Sequence, residues 1–90
     1  MEYFTWNEEK NEQLKEETRV SFEEIIVQIE DNKILDILER PNKERYPDQQ
    51  IMIVECNSYA YLVPYVETDD EIFLKTIIPS RKATKKYLGK

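Results

Sequence analysis

Ninety residues suffice for one core, so residues 1–90 read as a single domain. Thirteen Lys and Arg against 19 Asp and Glu leave a formal net charge of −6, which excludes a protein that coats nucleic acid without preference, because phosphate contacts need clustered cations. One cysteine and no histidine exclude an intrachain disulfide and a metal centre built on Cys or His ligands.

The opening Met1-Glu2-Tyr3-Phe4 is acidic and aromatic, unlike a signal peptide, and no apolar window approaches a bilayer span. With the lone thiol, these features set the expectation of a cytoplasmic protein. Residues 3–6, Tyr-Phe-Thr-Trp, are aromatic enough to tuck against the core as a short strand or anchor. Asn7 caps a helix running to about Glu17 whose only large apolar residue is Leu14, so it must lean on neighbours or on a partner. A second helix is better marked. Ser21 and Glu24 have capping-box spacing, Val20 and Ile25 form a hydrophobic staple, and Phe22, Ile25, Ile26 and Ile29 fall in one stripe that should cover a sheet.

Beyond Asn32 the apolar period changes. Residues 34–39, 51–56, 59–66 and 72–78 read as four strands rich in β-branched and aromatic residues. Arg40-Pro41-Asn42 with Tyr46-Pro47-Asp48, then Asn57-Ser58, then Thr68-Asp69-Asp70 supply turn chemistry, and such short links imply an antiparallel meander. Pro64 has no N–H for a ladder and belongs at a bulge or an unpaired position. Ser80 caps a short final helix with Ala83, Thr84, Tyr87 and Leu88 facing inward. The expected fold is α+β: two N-terminal helices on a four-stranded antiparallel sheet, closed by a C-terminal helix.

Charge is sharply segregated, at −7 for residues 1–31, −5 for 32–71 and +6 for 72–90. In the final helix Arg81, Lys82, Lys85 and Lys86 share an arc of about 140° at roughly 100° per residue. Two readings are open. The cations solubilise the terminus and favour the negative end of the helix dipole, or they bind phosphate, with Arg81 near the helix N-terminus where backbone N–H groups also attract anions. Tyr59, Tyr61 and Tyr65 alternate on one strand face, which suits base stacking beside cations and equally suits plain sheet packing. Whether Lys75 shares that face depends on the turn around Glu67–Glu71. Closing Glu67 on Asp70 puts Lys75 opposite the tyrosines, and one more residue puts it beside them. Other constellations carry no chemistry. Gly89 is the only glycine, so no phosphate-cradling loop exists; Asp69-Asp70-Glu71 reads as a solvated hairpin tip; Cys56 in its apolar run reads as a buried, inert thiol.

The order of these motifs resembles the BrnT family of toxins from bacterial type II toxin–antitoxin systems, related in fold to RelE-type ribonucleases. The resemblance begins at Phe4-Thr5-Trp6-Asn7 with Lys10, continues at Val20-Ser21-Phe22-Glu23-Glu24, and closes at Ile77-Ile78-Pro79-Ser80-Arg81-Lys82-Ala83-Thr84. Thr18-Arg19 stand where the family often has a His-Gly pair, Lys82 replaces the second arginine of the closing motif, and Pro79-Ser80 stand for Ser-Ala. A lysine does not reproduce the bidentate guanidinium grip on phosphate.

The resemblance implies a metal-independent endoribonuclease that needs no cofactor. It implies silencing by a cognate antitoxin, often of the ribbon-helix-helix kind, through which alone the protein would meet DNA. Attack of a ribose 2′-OH on its own phosphate needs a base, a cation for the phosphorane charge, and an acid for the leaving oxygen. Arg81 is the first candidate for that cation, with Lys75 or Lys82 next; for the base, Tyr65 or a lysine would need a strongly lowered pKa, and a Glu would serve only if poised near the scissile site. Lys82, Lys85, Lys86, Tyr59 and Tyr61 would hold the RNA. A protein- or RNA-binding module without catalysis, on the same fold, is the alternative, favoured by the missing histidine.

Overall fold

A computed structural model describes residues 3–39 and 49–90; the turn expected at 40–42 and 46–48 lies outside them. In chain order the elements are β1 (Phe4–Thr5), α1 (Glu8–Thr18), α2 (Phe22–Glu30), β2 (Ile34–Glu39), β3 (Gln49–Cys56), β4 (Tyr59–Glu67), β5 (Ile72–Leu74), β6 (Ile78–Pro79) and α3 (Arg81–Leu88). The strands form one sheet in the order β1-β5-β4-β3-β2, with β6 also paired to β4. The architecture is α+β, as expected. The expected sheet of four antiparallel strands is in fact a mixed sheet, six-stranded among the described residues.

Two departures enlarge it. The aromatic stretch at the start becomes β1 and runs parallel to β5, with Phe4 opposite Ile72 and Thr5 opposite Phe73. The Ile72 N–H donates to the Tyr3 carbonyl at 2.8 Å. The last expected strand, 72–78, divides in two. β5 pairs with Tyr65, Val66 and Glu67, whereas β6 pairs with Tyr61 and Leu62 in a register displaced by one residue. Pro64 lies at the break. Its carbonyl accepts from the Lys75 N–H at 2.9 Å, so its ring nitrogen faces the same interruption, where no donor is required. The displacement turns Ile77 into the core, where it is 2% exposed.

Local signals account for the helix ends. The Asn7 side chain accepts from the Lys10 N–H, Ser21 from Glu24 and Ser80 from Ala83. Arg19 and Gly89 close α1 and α3 in the left-handed region, at φ 63° and 70°. A two-residue turn joins Cys56 to Tyr59, and both Asn57 (φ 54°) and Ser58 (φ 62°) are left-handed, the geometry of a type I′ hairpin.

The sheet is covered on both faces. Leu14 of α1 and Phe22 and Ile25 of α2 meet Met52, Val54 and Cys56 of β3 and Tyr61, Val63 and Tyr65 of β4. On the opposite face Ala83 of α3 packs with Ile53 and Ala60, joined by Leu35, Leu62, Tyr87 and Leu88. Leu14 alone could not hold so polar a helix as α1. The buried Asn11 adds a second anchor: its Oδ1 accepts from the Phe22 N–H at 2.8 Å and its Nδ2 donates to Glu23 Oε1 at 2.7 Å. That satisfies an N–H which the first turn of α2 leaves without an acceptor. Trp6 stacks on Phe22, with ring centres 5.9 Å apart, and fixes β1 to the same helix. Among the described residues no helix is long and apolar enough to cross a membrane.

Candidate functional site

The cationic helix is bolted to the sheet by its first turn. Thr84, 4% exposed, donates from Oγ1 to the Ser80 carbonyl at 2.8 Å and accepts from the Ala60 N–H at 2.9 Å. The Ser80 N–H in turn donates to the Ala60 carbonyl at 3.0 Å. Both polar groups of one β4 residue are therefore spent on α3. This clamp, together with Ala83 against Ile53, fixes which side of α3 faces solvent. Ala83 and Thr84 are buried, Tyr87 and Leu88 half-buried, and Arg81, Lys82, Lys85 and Lys86 exposed. None of those four cations forms an ion pair among the described residues. The N–H groups of Arg81 and Lys82 have no acceptor within the helix, so partial positive charge adds to the guanidinium there.

A groove of about 280 Å³ runs along α3 where the helix meets the sheet. Leu38, Ile53 and Leu62 form its floor, and Ser80, Lys82, Ala83, Lys86 and Tyr87 its helix side. Tyr87 donates its hydroxyl to Asp36 Oδ2 at 2.7 Å, and the other Asp36 oxygen accepts from the Ile37 N–H at 2.8 Å. The tyrosine hydrogen bond, then the backbone N–H, holds the Asp36 carboxyl below the ordinary range, with Lys86 nearby acting in the same sense. The carboxylate in turn raises the Tyr87 phenol. The Lys86 ammonium lies 5.2 Å from the centre of the Tyr87 ring. Sequence reasoning passed over Asp36; its only signal is that it is the one acidic residue between the apolar residues of 34–38.

The tyrosines are elsewhere. Tyr59, Tyr61 and Tyr65 do share one face, but it is the face under α1 and α2, opposite α3. Tyr61 and Tyr65 are buried, and Tyr59 packs edge-on to Tyr61 at 5.6 Å. Burial raises the Tyr61 phenol, which keeps it protonated. The Tyr65 hydroxyl donates to Gln50 at 2.9 Å. The expectation that these rings stack bases beside the α3 cations therefore fails. Strand alternation placed the three tyrosines together, and the apolar stripe of α2 claimed their face.

Lys75 resolves differently. Glu67 pairs with Ile72 across a four-residue connection, longer than either register considered from sequence. Leu74 lies opposite Tyr65 on the helix-pair side, and Lys75 turns to the other face, where its ammonium donates to the buried Gln49 at 3.1 Å. Lys75 and Arg81 thus belong to the α3 side, while Tyr65 belongs to the other, and the three do not converge.

Cys56 is buried, and desolvation raises its thiol, so it is a packing residue. Among the described residues no three Cys, Asp or Glu side chains are grouped to hold a metal ion. No family model, curated protein or solved structure matches the chain.

Proposed function

We propose that this protein is the toxin component of a type II toxin–antitoxin pair. On this reading it is a RelE-like endoribonuclease that meets RNA through the exposed arc of α3 and is held in check by a cognate DNA-binding antitoxin of the ribbon-helix-helix kind. The observation that carries the reading is that Arg81, Lys82, Lys85 and Lys86 are exposed on an acidic chain and form no ion pair among the described residues. Four exposed cations sit on one short helix of a chain that carries 19 acids, an arrangement that solubility alone does not require. The resemblance in the opening, middle and closing motifs supplies the rest.

Within that reading Arg81 stabilises charge on the scissile phosphate. It is always protonated, it stands in the first turn of α3, and its planar fork suits phosphate oxygens. Lys75 is the second cation on the same side of the sheet. Tyr65 takes no part, because its hydroxyl lies across the sheet. Asp36 is ionised, but both its oxygens already accept hydrogen bonds and its basicity is lowered. The missing histidine favours a second reading, in which the same surface binds RNA without cutting it.

One experiment separates the two. Purified protein is incubated with single-stranded RNA in excess EDTA, and binding is measured in parallel across a salt series. Cleavage that Arg81→Ala abolishes supports the nuclease. Binding without cleavage, with a slope of log K on log salt near −3 for four phosphate contacts at about −0.7 each, supports the binder. Neither cleavage nor salt-dependent binding would sink both. In cells, induced expression should arrest growth, and Arg81→Ala should relieve the arrest while leaving the fold intact.

A further inference from the structure

The exposed arc of α3 is chemically divided. Lys82 and Lys86, one turn apart, line the groove, whereas Arg81 and Lys85 stand outside it. The groove itself is poorly suited to RNA. Its floor is aliphatic, and Tyr87, its one aromatic among the described residues, has its hydroxyl tied to Asp36 and Lys86 beside its ring. Lys86 stands where a base would stack on the Tyr87 ring, and the Asp36 carboxylate repels a phosphodiester running along β2. Apolar surface nevertheless remains open here: Leu38, on the last strand in the sheet order, is 40% exposed.

We propose that this groove is the docking site for an acidic amphipathic segment of a protein partner. An aliphatic side chain of that segment seats on Leu38, Ile53 and Leu62, and carboxylates one helical turn apart meet Lys82 and Lys86. The lysine spacing, i and i+4 on α3, matches two acids at the same spacing on a short helix laid alongside. The aliphatic floor supplies affinity and the lysine pair supplies orientation. Nucleic acid offers isolated negative charges but no aliphatic anchor, so the pairing of chemistries selects a polypeptide. Such a segment would cover two of the four α3 cations. The proposal shares Lys82 and Lys86 with the RNA reading but does not depend on it, because the aliphatic floor is what selects a polypeptide.

The test is a methyl and amide NMR titration of the full-length chain. The probe is a capped, helix-forming peptide of about twelve residues with two glutamates one turn apart bracketing a leucine. Control peptides carry serine for the leucine, or lysines for the glutamates, and a single-stranded oligoribonucleotide is titrated separately. Expected are shifts of the Leu38, Ile53 and Leu62 methyls with the acidic peptide. The serine control should bind roughly ten-fold or more weakly, the loss that follows from removing one buried aliphatic anchor. The lysine control should leave the groove methyls unmoved. Leu38→Ser should weaken the acidic peptide to the same degree and, being neutral, leave RNA affinity unchanged.

The proposal is overturned if millimolar acidic peptide leaves these methyls unmoved, if the leucine and serine peptides bind alike, or if the shifts map to another surface. RNA that moves the groove methyls when the peptide does not would assign the groove to nucleic acid instead. The peptide comparison needs no protein variant, so it decides even if Leu38→Ser fails to fold. Failure of RNA to bind anywhere would sink the earlier reading and leave this one standing.

Discussion

The two faces of the sheet solve opposite problems. Under α1 and α2 the sheet buries large side chains, tyrosines among them, and the helices turn Glu8, Glu9, Glu12, Glu16, Glu17, Glu23 and Glu24 to solvent. Under α3 the covering is thin, one eight-residue helix held by Ala83, Thr84 and Tyr87, and the solvent side is cationic. The first face supplies stability and the second leaves a surface open. The difference teaches that the basic helix is displayed on a scaffold whose other side repels polyanions. On the proposed reading, this division of charge would steer an approaching phosphate chain to α3.

Breaking the thick face should cost most. Phe22 is fully buried and stacked on Trp6, and Phe22→Ala should destabilise by about 3–5 kcal/mol, read as a lower denaturant midpoint with both faces unfolding together. Asn11→Ala comes next, at about 2–3 kcal/mol, because it strands the Phe22 N–H and removes the Glu23 partner. Here α1 should loosen first, seen as faster amide exchange over residues 8–18. Thr84→Val should cost about 1–2 kcal/mol by leaving the Ala60 N–H without its acceptor. Its signature differs: RNA affinity falls with α3 mobility while the helix-pair core keeps its exchange protection.

A substitution in the hairpin serves as a control for both faces. Ser58→Gly relieves a left-handed residue in the type I′ turn and should stabilise by about 0.5–1 kcal/mol, with no effect on RNA binding. Smallest of all is the acid response. Glu23, through Asn11, and Asp36, through Tyr87, both have folded values below the ordinary carboxylate range. Each therefore stabilises the fold above its unfolded value, and that contribution is lost as pH falls through the lowered folded value. Tyr87 works in the opposite sense. Its raised phenol contributes below the ordinary tyrosine range, and the contribution is lost as pH rises through the folded value. Asn11→Ala should flatten the acid limb of a stability–pH curve, and Tyr87→Phe should soften both limbs. Wild-type limbs in both variants would show that these pairs are not coupled to folding.

Much of the local structure was legible because it is chemically local. Ser21 and Ser80 cap helices through N–H groups three residues away, and Asn57-Ser58 closes a hairpin between adjacent strands. The α2 stripe pointed inward because Ile25, Ile26 and Ile29 lie at helical spacing. The role of Asn11 was hidden, since a polar residue on a polar helix carries no sign that its amide will cap another helix. The clamp at Thr84 was only half visible: its inward position could be read, but not its bond to Ala60. The division of residues 72–78 into β5 and β6 followed from Pro64, whose missing donor was recognised but whose effect on the neighbouring strand depends on pairing.

The candidate site divides along the same line. Sequence alone determined that the cations of α3 share one arc and that Tyr59, Tyr61 and Tyr65 share one face, because helix and strand periods dictate both. Tertiary structure alone decided that arc and face lie on opposite sides of the sheet. A strand states which residues point together but not which helix will cover them. That choice belonged to the apolar stripe of α2 and to the bond between Thr84 and Ala60, formed between residues 24 positions apart.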